Sequence, residues 1–309
     1  MKATVIKCFF SDFIKDLKKH RYLYIMLIPV VVYFFLFCYR PMGGLLIAFE
    51  NYKPRKGIWG SEWVGLKNFI DFFESPFFGR VLKNTLWLSL GSLIFGFPIP
   101  ILFALFLNEV KSVRFKKLVQ TVTYLPHFIT TVIICSLIIQ FTDSDGFITV
   151  FVNSITGHTG SLITDEHFFR PIYIISGIWQ SFGWNSIIYF AAISGIDAEQ
   201  YEAARIDGAN RWDMMFRITL PELIPTIMIL LIMQCGSVLS VGWEKAFLLQ
   251  TPVTYNVSDI ISTYVYRQGF VDMNYSTSAA VGMFNSIVNL ILLTLANKVS
   301  KKTTESSLW

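Results

Sequence analysis

Charge is scarce in this chain of 309 residues. Asp, Glu, Lys and Arg make up 15% of it, hydrophobic residues make up 53%, and the mean hydropathy is +0.52. Soluble domains carry about a quarter charged residues, so a water-soluble fold is excluded. The chain has no G-x-x-x-x-G-K-[ST] loop, which rules out ATP binding in the P-loop manner. It also has no H-E-x-x-H, C-x-x-C or G-x-S-x-G, so those metalloprotease, redox and hydrolase templates fall away. Cys8, Cys38, Cys135 and Cys235 show no metal or redox spacing. Three of them lie within or against apolar runs, where a small apolar residue fits, and no disulfide framework follows. The histidines His20, His127, His158 and His167 are scattered. His127 follows Pro126 inside an apolar run and is either a hydrogen-bond partner at a helix break or a pathway residue. The net charge of +5 implies no nucleic-acid partner, because the basic residues collect at the ends of apolar segments.

What is present is a series of apolar runs long enough to cross a bilayer. They are Tyr22–Tyr39, Thr85–Leu107, Leu118–Phe141, Pro171–Ile196, Leu223–Trp243 and Tyr275–Asn297. The expected fold is an all-α membrane protein of six transmembrane helices. Residues 1–21 would form a cytoplasmic N-terminal segment, 22–297 the six-helix transmembrane domain and 298–309 a cytoplasmic tail. The first run reads as a retained span, since Arg40-Pro41-Met42 follows it rather than a small-x-small cleavage site. Gly96, Pro98 and Pro100 are expected to interrupt the second run, and Pro126 falls inside the third. With both termini inside, the inner segments hold 16 Lys and Arg and the longer outer segments 10, the density that the positive-inside rule requires. Between the runs, the stretch from Trp63 to Phe78 is aromatic and suits a membrane surface. Residues 142–170 read as a loop, and 244–274 as an external loop with helix around Ile260 to Tyr266.

Ionisable groups are nearly missing from these runs, whereas ion-coupled carriers keep them there for relay. The runs offer amides, hydroxyls and aromatics instead: Gln180, Trp184, Asn185, Gln234 and Ser237, with Asn285 and Asn289 in the last. Such groups hold a neutral, hydroxyl-rich solute by stacking and hydrogen bonding. Equally, amides glue helices together, each contributing about 0.6–2 kcal/mol. The outer carboxylates Asp143, Asp145, Asp165 and Glu166 could form an acid/base or calcium site, but their turn-rich setting reads as structural.

One polar island between the fourth and fifth runs, residues 197–221, has its own grammar. Asp197 stands at an N-cap with Gln200 three residues on, an Asp variant of the capping box. Tyr201-Glu202-Ala203-Ala204-Arg205-Ile206-Asp207-Gly208-Ala209 follows, with Gly208 where a helix must stop in a left-handed turn. A second short helix is expected from Asn210 towards Arg217. It would carry Trp212, Met215, Phe216 and Thr219 on one face and lie along the membrane surface.

Glu202, Ala203, Ala204, Asp207, Gly208, Ala209, Phe216, Ile218, Leu220, Pro221 and Pro225 together resemble the coupling loop of ABC importer permeases. These are the inner-membrane components of binding-protein-dependent transport systems. Gly65-Leu66-Lys67-Asn68-Phe69 and Asn84-Thr85-Leu86 resemble the first external loop of sugar-importing members. Most of the chain, from the first external loop to Asn297-Lys298, resembles the maltose-type branch, and within it the run from Gly183-Trp184-Asn185 to Ile196-Asp197 resembles the group serving complex oligosaccharides. The resemblance implies a type I importer fold in the cytoplasmic membrane and uptake of a sugar, expected to be an oligosaccharide from polysaccharide breakdown. It implies ATPase subunits engaged by Tyr201, Glu202, Ala203, Ala204, Arg205, Asp207, Gly208 and Ala209. It also implies a second homologous permease and an extracellular or lipid-anchored sugar-binding protein. This chain would hold no cofactor, ATP and Mg being used by the ATPase. Two other classes stand beside it: an ion-coupled secondary transporter, and a membrane enzyme acting on lipid-linked sugar.

Overall fold

Helices dominate because a chain this apolar must satisfy its backbone internally once it leaves water. The computed structural model describes residues 19–304 together with 307 and 308. Cys8 and most of the 1–21 segment lie outside these residues, as do 305, 306 and 309 of the tail.

Helix α1 (Arg21–Phe34), which buries none of its residues, runs through a π-helical turn and a 3-10 stretch to Phe49 as one apolar span of 29 residues, and the 3-10 stretch packs on the last helix of the chain. A two-residue ribbon follows, β1 (Glu50–Asn51) against β2 (Glu62–Trp63), antiparallel with Glu50 opposite Trp63. Helix α2 (Lys67–Glu74) clips onto it, the Asn68 amide donating to the carbonyls of Ala48 (2.9 Å) and Glu50 (3.0 Å). Helices α3 (Phe78–Gly91) and α4 (Pro98–Asn108) join through a π-helical turn at Ser92–Gly96 into a single 31-residue span. The interruption expected at Gly96, Pro98 and Pro100 is this π-helical turn, which ends at Gly96 and does not break the span. Pro98 is at a first-turn position where its missing N–H costs nothing, and the wider turn before it takes up the mismatch.

Helix α5 (Val113–Tyr124) is capped by Ser112, whose side chain accepts from the Phe115 amide. It ends in a 3-10 turn at Leu125–Phe128, and the chain bends by 98° into α6 (Thr131–Thr142). The third expected span is therefore a broken one, with Pro126 at the break. The stretch expected as loop from 142 to 170 contains α7 (Phe147–Thr156).

Helix α8 (Glu166–Ser194) is 29 residues long and central, packing on α3, α4 and α5. Its buried residues Gly183, Ser186, Tyr189 and Ile193 recur at helical spacing. Gly183 is required where α8 crosses α5, because a Cβ there would run into the Thr123 carbonyl. Then come α9 (Ala198–Ile206), α10 (Arg211–Met214) and α11 (Leu220–Cys235). Helices α10 and α11 are joined by a π-helical turn into one 25-residue helix, Arg211–Cys235. The second short helix is thus the foot of the fifth span, not a separate surface helix. Of its expected face, Met215 and Thr219 are buried, whereas Trp212 and Phe216 are exposed and stacked at 6.2 Å. That span stops at Cys235 rather than Trp243, and a bend leads to α12 (Trp243–Leu249). Helix α13 (Ile261–Tyr266) falls where helical character was expected, and α14 (Tyr275–Thr304) closes the bundle.

Among the described residues four helices are long and apolar enough to cross a membrane, or five if the bent α5–α6 pair counts as one. Helix α8 has the length without the hydropathy, since protein surrounds much of it and its amides need no lipid. Leu88, Cys135, Phe169, Tyr173, Ala246 and Ile260 form one core cluster. Ile101, Leu105, Tyr189, Met215 and Leu223 form another, where α4, α8 and α11 meet. Buried Asp259 is fully countered. Arg80 Nη2 (3.0 Å), Arg267 Nη2 (2.8 Å) and the Thr263 hydroxyl (2.9 Å) all donate to its carboxylate, as burying a charge requires.

Candidate functional site

The polar island forms a knuckle between α8 and the Arg211–Cys235 helix. Asp197 caps α9 by accepting the Glu199 amide at 3.0 Å. No box closes with Gln200, whose amide instead reaches Glu222 at the foot of α11, at 3.4 Å. Gly208 ends α9 with φ +80°, and the Ala209 amide returns to the Ala204 carbonyl at 2.9 Å. A reciprocal capping box then starts α10: Asn210 accepts from Trp212 and Asp213, while Asp213 accepts from the Asn210 amide. Arg205 and Asp207 are exposed.

Two faces of α9 differ. Tyr201 turns inward, its hydroxyl 2.9 Å from the buried Thr219 hydroxyl, and ties α9 to the α11 foot. Glu202, Ala203 and Ile206 turn outward, Ile206 being 87% exposed. The motif reading passed over Ile206 because it looks for small and charged residues. The signal was there, since Ile206 is one helical turn from Glu202 and so shares its face.

Above the knuckle the α3–α4 junction, α8 and α11 enclose a cavity of about 500 Å³, within the range of ligand pockets. Asn185, Gln234 and Ser237 line it, with Ser92, Ser181 and Tyr189. Gln180 and Trp184 do not. Trp184 lies on another face of α8, stacked flat on His127 at 4.5 Å and edge-on to Phe128 at 5.3 Å. His127 is therefore an aromatic partner of α8 rather than a cavity residue. Asn289 serves packing: its side chain accepts from the Leu239 amide (3.0 Å) and donates to Ser240 (2.9 Å), pinning the bend after α11. The cavity also holds a residue the sequence assigned to an outer loop, Lys245 of α12.

The carboxylates expected on the outer side are engaged in local structure. Asp165 caps α8 by accepting the His167 amide at 2.8 Å, and this bond holds its carboxyl below the usual range. Glu166 accepts from Asn256 at 2.9 Å, and Asp143 accepts from the Ser144 amide at 2.8 Å. They are not gathered around a common centre in the way an acid/base pair requires.

Comparison with known proteins agrees with this architecture. Residues 96–305 match the family described as binding-protein-dependent transport system inner membrane component. Protein LplB of Bacillus subtilis (strain 168) is 44% identical over 95% of this chain and 92% of its own length. The polygalacturonan/rhamnogalacturonan transport system permease protein YteP of the same strain is 45% identical, over 94% and 91%. Among solved structures, a bacterial ABC transporter involved in the import of the acidic polysaccharide alginate superposes with a TM-score of 0.87. It is 44% identical and is matched over 95% of this chain and 99% of that one. A second structure, of a bacterial alginate ABC transporter with an alginate pentasaccharide-bound periplasmic protein, gives a TM-score of 0.87 at 43% identity. The two walls of the cavity, joined by a capped knuckle, are thus the frame of a multi-pass membrane protein, and the chain belongs to the family of binding-protein-dependent transport system inner membrane components.

Proposed function

We propose that the chain is one of two homologous permeases of an ATP-driven importer that carries an oligosaccharide released from a polysaccharide. It spans the cytoplasmic membrane six times, α8 and the bent α5–α6 pair each counting as a span, with both ends and the knuckle inside. An external or lipid-anchored binding protein delivers the sugar. Separate ATPase subunits supply the energy, using ATP and Mg²⁺, and they grip α9. The relatives named for polygalacturonan/rhamnogalacturonan and for alginate support the substrate class.

One observation carries the coupling role: the outward face of α9 is unpartnered while its inward face is tied to the span. Ile206 leaves an apolar side chain in water, and burying it stabilises a docked partner by about 1.5–3 kcal/mol. Glu202 beside it supplies a charged acceptor, and Ala203 allows close approach. A push on that face moves Tyr201, hence Thr219 and the Arg211–Cys235 helix. That helix and α8 are opposite walls of the cavity, so the knuckle's movement opens one end of it and closes the other.

The test is affinity purification of the complete importer carrying Ile206→Asp or Ile206→Leu. The Asp variant is expected to retain less than a tenth of the ATPase and to lose ATP-dependent uptake, while the Leu variant keeps both. Full ATPase retention by the Asp variant would contradict the docking role.

A further inference from the structure

Lys245 is a charge that neither the knuckle nor the helix packing explains. It is 8% exposed and reaches from α12 to α8, where its ammonium donates to the Tyr173 carbonyl at 2.9 Å. The Tyr173 ring centroid lies 5.0 Å away, a cation–π contact. Gly177 leaves the space it occupies, since a Cβ there would come within 3.2 Å of Nζ. An ammonium has three donors, and Tyr173 takes one. Among the described residues no carboxylate forms a salt bridge with it, and its neighbour Glu244 is exposed. The side chain lines the same cavity as Asn185, Gln234 and Ser237.

A buried cation is strongly unfavourable without a counter-charge. Asp259 shows that this fold countercharges a buried group thoroughly when its role is structural. An ionisable side chain among spanning helices marks a pathway by default, and its partner has to be named. We propose that the partner of Lys245 is the cargo's own carboxylate, and that Lys245 makes the cavity selective for acidic, uronate-bearing oligosaccharides. This rests on the reading of the chain as an oligosaccharide permease. The amides and Ser237 hold ring hydroxyls without regard to charge. Lys245 separates a charged sugar from a neutral one, because low dielectric strengthens its pairing with a carboxylate and leaves it unpaired otherwise.

The probes are trigalacturonate and its methyl ester, which keeps the rings and hydroxyls and removes the charge. Uptake of each is measured in vesicles carrying the complete importer with its binding protein unchanged. Lys245→Met is expected to lower the acid-to-ester uptake ratio at least tenfold, and Lys245→Arg to keep it within threefold. An unchanged ratio in Lys245→Met would overturn the proposal. Asn185→Asp leaves the lysine in place and covers the case of a Lys245→Met protein that does not assemble. It puts a repelling carboxylate on the cavity wall and is expected to lower the ratio at least fivefold, no change again overturning the proposal. ATP-driven uptake of neutral oligosaccharides alone would overturn the charge selection and leave the permease reading intact. No ATP-driven uptake of any oligosaccharide would overturn both.

Discussion

Gly208 shows how a single residue sets the knuckle. Its φ is +80°, and a Cβ built on it meets nothing within 4 Å, so the demand is on backbone conformation and not on space. A side chain there costs about 1–2 kcal/mol, more for a β-branched one and least for Asn, which enters the left-handed region readily. Gly208→Asn is therefore expected to keep most sugar uptake and sugar-stimulated ATP hydrolysis, and Gly208→Val to lose most of both. Equal loss in the two would show that a partner fills the space instead. This residue was legible because a helix stop is local grammar, as was the Asp197 cap. Gln200 was not, because its partner Glu222 lies in another helix and no sequence window joins them. Lys245 was missed for a different reason: a charge just past a span reads as a loop charge. Yet Ala246 follows the lysine by one residue and Leu249 by four, and the three are buried together on one face of α12.

Among the elements, α8 organises the rest, and the α5 crossing is its tightest point. Gly183→Ala drives a methyl into the Thr123 carbonyl, a backbone atom that cannot rotate away. The expected cost is about 2–3 kcal/mol, read as a lower melting temperature in detergent. Gly282→Ala on α14 meets nothing within 4 Å and is the neutral control. The helical type of the six apolar runs was readable, since runs of this length in lipid can only be helices or closed barrels, whereas α7 fell in a stretch read as loop. The ends and joints of the runs were less readable. Pro98 and Pro126 are both first-turn residues, yet the span runs on through Pro98 and bends by 98° after Pro126. The face of Trp212, Met215, Phe216 and Thr219 was read as amphipathic, but the helix is the foot of a span, half packed and half exposed.

At the scale of the whole molecule, the knuckle and the cavity share two helices. The end of α8 enters the knuckle and the foot of α11 leaves it, while higher on both lie Asn185 and Gln234 on the cavity wall. In the proposed coupling, the connection between the ATPase and the cavity needs this continuity, and the Tyr201–Thr219 bond stiffens it. The arrangement requires that Glu202 face the cytoplasm. The direct measurement is Glu202→Cys in a background with Cys8, Cys38, Cys135 and Cys235 replaced, treated with a membrane-impermeant maleimide. Labelling only after the cells are opened, and protection once the ATPase is bound, is the predicted result; labelling of intact cells from outside would contradict it.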